Sequence, residues 1–200
     1  MNPCFYLIWN FLYKLGLKNN VSENLIRNNV CGCHAISCVI LTYLYINNYY
    51  RTNLLKDIIV QNSMSYFLWD ACYPLVKKIN FEYGYLLHHL ISYIFLNEIK
   101  NNNSVMLYTK IFYYGELSNL FNYLVYYSIK KNSNNSPITK YLKYIQFVWF
   151  SVIRLYNFAV FTPEMLEVKN KSVIGLCFPM FVMSLYWINN MYKRLPHKLK

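Results

Sequence analysis

Six titratable residues fall inside apolar runs of this chain: His34, Asp70, His88, His89, Glu116 and Arg154. An ionisable side chain at bilayer depth costs at least ~2.5 kcal/mol, so such groups face a protein interior or a water-filled cavity and mark function. Three of them lie in the stretch YFLWDACYPLVKKINFEYGYLLHHLISYIFL, where Asp70 and the adjacent pair His88-His89 sit in two apolar runs separated by Lys77-Lys78. Histidine is a general base near neutral pH, and a carboxylate beside it orients or polarises the ring. The chemistry on offer is proton removal from an amine or hydroxyl by His88 or His89, with Asp70 as partner. Successive helical residues diverge by ~100°, so one histidine can face a site while the other bonds to a neighbouring helix. Glu116, Asn119 and Tyr123 follow at i, i+3 and i+7, one helix face, with Ser118 and Asn122 beside them. The competing reading is an interhelical hydrogen-bond network, worth ~0.6 kcal/mol per contact. Six titratable groups exceed what packing needs, which favours a functional cavity. Asp70→Asn is then expected to spare folding.

The elements that must position these residues are transmembrane helices. Of 200 residues, 56% are hydrophobic, 20% aromatic and only 14% charged. A soluble domain is ~25% charged, so this chain reads as an all-α polytopic membrane protein. Its apolar runs are Cys4–Leu17, Val30–Tyr50, Ile58–Val76, Phe81–Leu96, Ser104–Ile129, Tyr144–Phe161 and Val173–Tyr192. About 20 residues cross a bilayer; the first run is short and carries Lys14, giving six crossings and a marginal seventh. The connections are read as Lys18–Asn29, Arg51–Asp57, Lys77–Asn80, Asn97–Asn103, Lys130–Lys143 and Thr162–Ser172, with the last helix bent near Gly175 and Pro179. The domain division is 1–29, an N-terminal helix and loop; 30–192, a transmembrane domain; and 193–200, a basic tail.

The net charge of +12 belongs to the ends of the apolar runs, the membrane pattern, and excludes nucleic acid as the expected partner. With seven crossings, alternate loops plus the tail hold 13 Lys/Arg against six opposite, so the tail and the Lys77-Lys78 turn are expected in the cytoplasm. The six cysteines lie in or beside apolar runs and read as small hydrophobes. Cys31-Gly32-Cys33-His34 lacks a second Cys pair at zinc spacing, and the histidines form no His-x-x-His series, so no metal is assigned. No nucleophile elbow or phosphate cradle occurs.

Five segments in order resemble the TLC-domain family, which includes ceramide synthases, the translocating-chain-associated membrane protein and CLN-type regulators of lipids. They are Arg27 with Cys33-His34-Ala35, the aromatic-rich Tyr66-Phe67-Leu68-Trp69-Asp70, the pair His88-His89, Glu116-Leu117-Ser118 with Phe121-Asn122, and Phe147 through Arg154. The resemblance runs from about Arg27 to Tyr192. It implies a barrel of about six helices around a lipid-accessible cavity, and placement in the endoplasmic reticulum or another internal membrane. Ceramide synthases transfer a fatty acyl group from acyl-CoA to a sphingoid base with their histidine pair. Their signature carries an Asp-Asp pair where this chain has Glu116-x-Ser118, so it is more similar to the small TLC proteins linked to membrane-lipid composition.

The resulting expectation is a membrane protein of lipid homeostasis that binds, senses or remodels membrane lipids. His34, Glu116, Ser118, Asn119, Asn122 and Arg154 would form its cavity, with no cofactor. The alternatives are a sphingoid-base N-acyltransferase using His88, His89 and Asp70 on acyl-CoA as substrate, and a translocon- or cargo-associated protein that relies on its loops and tail.

Overall fold

The structure, a computed structural model, describes residues 3–18, 22–47, 49, 52–77, 83–101, 105–167 and 171–196. They form seven helices and no strand: α1 (Pro3–Lys18), α2 (Glu23–Ile46), α3 (Asn53–Lys77), α4 (Tyr83–Asn101), α5 (Val105–Asn132), α6 (Pro137–Glu167) and α7 (Lys171–Lys193). The all-α expectation holds. Three stretches are long and apolar enough to cross a membrane, Glu23–Ile46, Pro137–Glu167 and Ile174–Lys193.

The helices outrun the apolar runs that announced them. Lys18–Asn29, read as a loop, contains the start of α2, because Arg27 and Asn28 have partners on other helices: Arg27 Nε donates to Asp70 Oδ1 at 2.7 Å, and Asn28 Nδ2 to the Tyr123 carbonyl at 3.1 Å. The 29/30 boundary therefore falls inside a continuous helix. In Arg51–Asp57, α3 already begins at Asn53, where Thr52 Oγ1 caps it by accepting from Leu55 N at 3.1 Å. Of Lys130–Lys143, only residues 133–136 connect helices. Ser133 stops α5 in the left-handed region at φ 80°. Ser136 then caps α6 by accepting from Thr139 N at 3.2 Å, and Pro137 supplies the preset first helical residue. Thr162-Pro163 does not open a loop, since α6 continues to Glu167; Pro163 is exposed four residues from the end, where one lost hydrogen bond costs little. α7 is continuous across Pro179. Most of the Lys77–Asn80 turn, and residues 197–200 of the basic tail, lie outside the described residues.

Consecutive helices run up and down. Arg27, His34 and Cys38 of α2 meet Asp70, Tyr66 and Ser63 of α3 in reverse order. Ser128, Asn122 and Ser118 of α5 likewise meet Thr139, Gln146 and Arg154 of α6. Phe158, Phe150 and Phe147 of α6 meet Phe181, Trp187 and Tyr192 of α7. Packing closes α2–α5–α6–α7–α4–α3 into a ring, with α4 and α5 also touching across it. α1 lies outside, against α2 and α3 only. There Trp9 packs edge-on to His34 and Tyr66, both with ring centroids 5.6 Å apart. Gly16 lets α1 approach α2 closely, since a Cβ there would sit 2.6 Å from Ile26 Cγ2. Ring closure turns one face of each of α2–α7 inward, and that interior holds the site.

Candidate functional site

Asp70 is fully buried and is the point where α2, α3 and α4 converge. Its Oδ1 accepts from Arg27 Nε at 2.7 Å. Its Oδ2 accepts from Tyr66 OH at 3.1 Å, one helical turn earlier on α3, lies 3.1 Å from His89 Nε2, and takes a long thiol contact from Cys31 Sγ at 3.8 Å. A carboxylate buried in this way is held by charge-assisted hydrogen bonds. Asp70 offsets Arg27, while Arg154 is held by Ser118 Oγ (2.8 Å), the Gly115 carbonyl (3.3 Å) and the Phe150 ring.

The histidine pair diverges as helical geometry requires. His89 turns to Asp70 on α3, whereas His88 Nδ1 lies 3.3 Å from Met180 Sδ and packs edge-on to Trp187 on α7. The contact between Nε2 and the carboxylate fixes the orientation of the His89 ring. His34 reaches the Asp70 cluster through Tyr66. It stacks on Tyr66 (3.7 Å, 11°), and its Nε2 lies 3.1 Å from Cys38 Sγ, which in turn reaches Ser63 Oγ.

A cavity of about 1130 Å³ opens between the helices. His88, His89 and Glu116 form its deep end; Asn119, Asn122, Tyr123, Gln146 and Trp187 line its length; Asn134, Lys143 and Arg194 stand at its rim. The rim is where α5 and α7 end and α6 begins. From the helical rise, Glu116 lies about 24 Å along α5 from that end and Asp70 about 10 Å along α3. A second chamber of about 80 Å³ continues beyond it, sharing His88, Glu116 and Asn119 with the large cavity.

Of the residues singled out from sequence, His88, His89, Glu116, Asn119 and Asn122 therefore share the main cavity wall. Arg154 borders the small chamber. Asp70 and Ser118 stand behind the wall and hold His89 and Arg154, and His34 packs against Tyr66. Tyr66 was quoted only within the aromatic segment leading to Asp70, and Lys143, Gln146, Trp187 and Arg194 were not singled out. Only Tyr66 had a legible signal, its i−4 spacing from Asp70. Among the described residues no group of three or more His, Cys, Asp and Glu side chains is arranged to hold a metal ion; in Cys31-Gly32-Cys33-His34, Cys33 is exposed while the other two side chains are buried.

These features define an all-helical protein with three candidate membrane-crossing helices and a deep internal cavity. No family model, curated protein or solved structure matches the chain.

Proposed function

We propose that this chain is a multi-pass protein of an internal membrane that binds, senses or remodels lipids in its central cavity, as its resemblance to TLC-domain proteins implies. The observation that carries the reading is the cavity's polarity: a basic rim at Lys143 and Arg194, aromatic walls, and a deep end bearing His88, His89 and Glu116. An amphiphile with an anionic head pairs with the basic rim and lays its apolar part along the aromatic walls. A purely packing network would leave no space of about 1130 Å³ in an interior that is otherwise close-packed.

In this reading α2–α7 supply the six crossings, with α1 as a seventh or an interfacial helix, and the closed ring is the TLC-type barrel. Helices α3, α4 and α5 are less apolar because their polar residues turn inward, where Asp70, His89 and Glu116 are buried. The positive-inside rule puts the rim in the cytoplasm, and the endoplasmic reticulum is the compartment the resemblance suggests.

A second reading, N-acyl transfer from acyl-CoA, is favoured by one feature, the Asp70–His89 contact at 3.1 Å beside the cavity. A carboxylate that orients a histidine beside the cavity is the arrangement of a general base for an attacking amine.

Mass spectrometry of lipids co-purified with the detergent-solubilised protein tests the reading. A lipid class enriched on wild type and lost at least tenfold from the His88→Ala/His89→Ala variant, at equal protein level, supports it. No enrichment on either protein refutes it. Acyl transfer requires in addition that wild type forms an N-acyl product and His89→Ala does not.

A further inference from the structure

The second half of α7 supplies one wall of the main cavity through Met183, Tyr186, Trp187, Asn190 and Met191, and Arg194 just beyond it stands at the rim. That half-helix follows a soft turn. Pro179 has no N–H to give the Gly175 carbonyl, so one rung of the helical ladder is missing. A Cβ at Gly175 would meet nothing within 4 Å, so that face of the turn is unbraced. One turn further on, Ser184 Oγ donates to the Met180 carbonyl at 2.7 Å, a back-bond that loosens and bends helices. α7 packs on α6 and α4 only. On the α4 side His88 holds it at Met180 (3.3 Å) and at the Trp187 ring. In the first turn of α4, however, Gly84 lines the cavity with nothing within 4 Å of a Cβ built there. Among the described residues the tip of α7 is fastened on the α6 side. Past Lys193 the chain tightens, with Arg194 N donating to the Met191 carbonyl (3.0 Å) and Leu195 N to the Tyr192 carbonyl (3.1 Å). It then meets α6, where Tyr144 OH donates to the Pro196 carbonyl and the Phe147 ring lies 5.9 Å from that of Tyr192.

We propose that α7 beyond Pro179 is a hinged arm that sets the width of the cavity mouth, and that the Tyr144–Pro196 bond latches it closed. A proline with a glycine one turn before it is where a helix bends most easily, and a few such residues can absorb the rotation of a moving element. With the latch released, the arm turns about residues 175–179. Trp187 then parts from the rings of His88 and Phe150, and Arg194 moves off the rim. The inference needs no ligand and stands whether or not the cavity takes lipid.

Spin labels on Lys131→Cys and Lys193→Cys, exposed positions at the ends of α5 and α7, report the width of the mouth by double electron–electron resonance. The full-length protein is measured in detergent, with Cys4, Cys33 and Cys72, the cysteines that are not buried, replaced by serine. Wild type should give one dominant distance. Tyr144→Phe removes only the latching hydroxyl and should enrich a longer-distance population roughly fivefold, the weight of one neutral hydrogen bond. Adding Pro179→Ala restores the missing rung and should return the distribution to that of wild type. Gly175→Ala stiffens the same turn and should do likewise if the proline variant fails to accumulate, since a Cβ fits there without a clash. A distribution that Tyr144→Phe leaves unchanged, narrow or broad, overturns the inference. So does a longer-distance population that persists when the turn is stiffened, because fraying of the tail alone does not depend on residues 175–179.

Discussion

Neutralising Asp70 while keeping its shape leaves the half-buried Arg27 guanidinium without its carboxylate. Because Arg27 Nε and Asp70 Oδ1 lie 2.7 Å apart and the acid is fully buried, Asp70→Asn should destabilise the protein by about 3 kcal/mol, the usual cost of breaking rather than replacing a buried pair. Thermal unfolding in detergent measures this. Pairing the change with Arg27→Met should recover part of the loss, and an unchanged melting temperature in Asp70→Asn alone would show that the pair is not a stabilising contact. The expectation drawn from sequence was the opposite, that this variant spares folding, because Arg27 looked like a loop cation 43 residues away. Tyr66 and Asp70, four residues apart on one helix, were legible as neighbours. Arg27 and Asp70 became neighbours only through the packing of α2 on α3.

At the scale of the element, helix identity was legible from hydropathy but helix extent was not. Hydrophobic runs mark the part of a helix that packs or meets lipid; the polar turn at Arg27-Asn28 stays helical because α3 and α5 supply its partners, and Lys130 and Lys131 lie over the Tyr126 and Tyr127 rings of their own helix. The Ser136-Pro137 start of α6 was written in the sequence as a cap followed by a helix-compatible proline, yet the surrounding Asn/Ser run disguised it as a long loop. The packing of α1 carries its own prediction. Gly16→Val places a branched side chain where even a Cβ would lie 2.6 Å from Ile26, so it should cost about 1–3 kcal/mol through overpacking. Limited proteolysis should then release α1 before the ring is cut. Equal protease resistance in the variant and wild type would mean that α1 tolerates a wider spacing from α2.

For the whole molecule, the orientation proposed from the basic rim is one that labelling can read. In a background lacking the exposed Cys4 and Cys33, Asn134→Cys at the rim should react with an impermeant maleimide in intact microsomes. Glu164→Cys, near the far end of α6, should react only after the vesicles are opened. The reverse pattern would place the rim in the lumen and overturn the charge-based assignment. The cavity has a further consequence, for kinetics. Its deep end lies about 24 Å along α5 from the rim. A component that enters by the rim and settles deepest arrives first and, by the same route, leaves last, so a two-component process using that route follows a compulsory order. An excess of the second component would trap the first, which saturation curves would record as inhibition of its release.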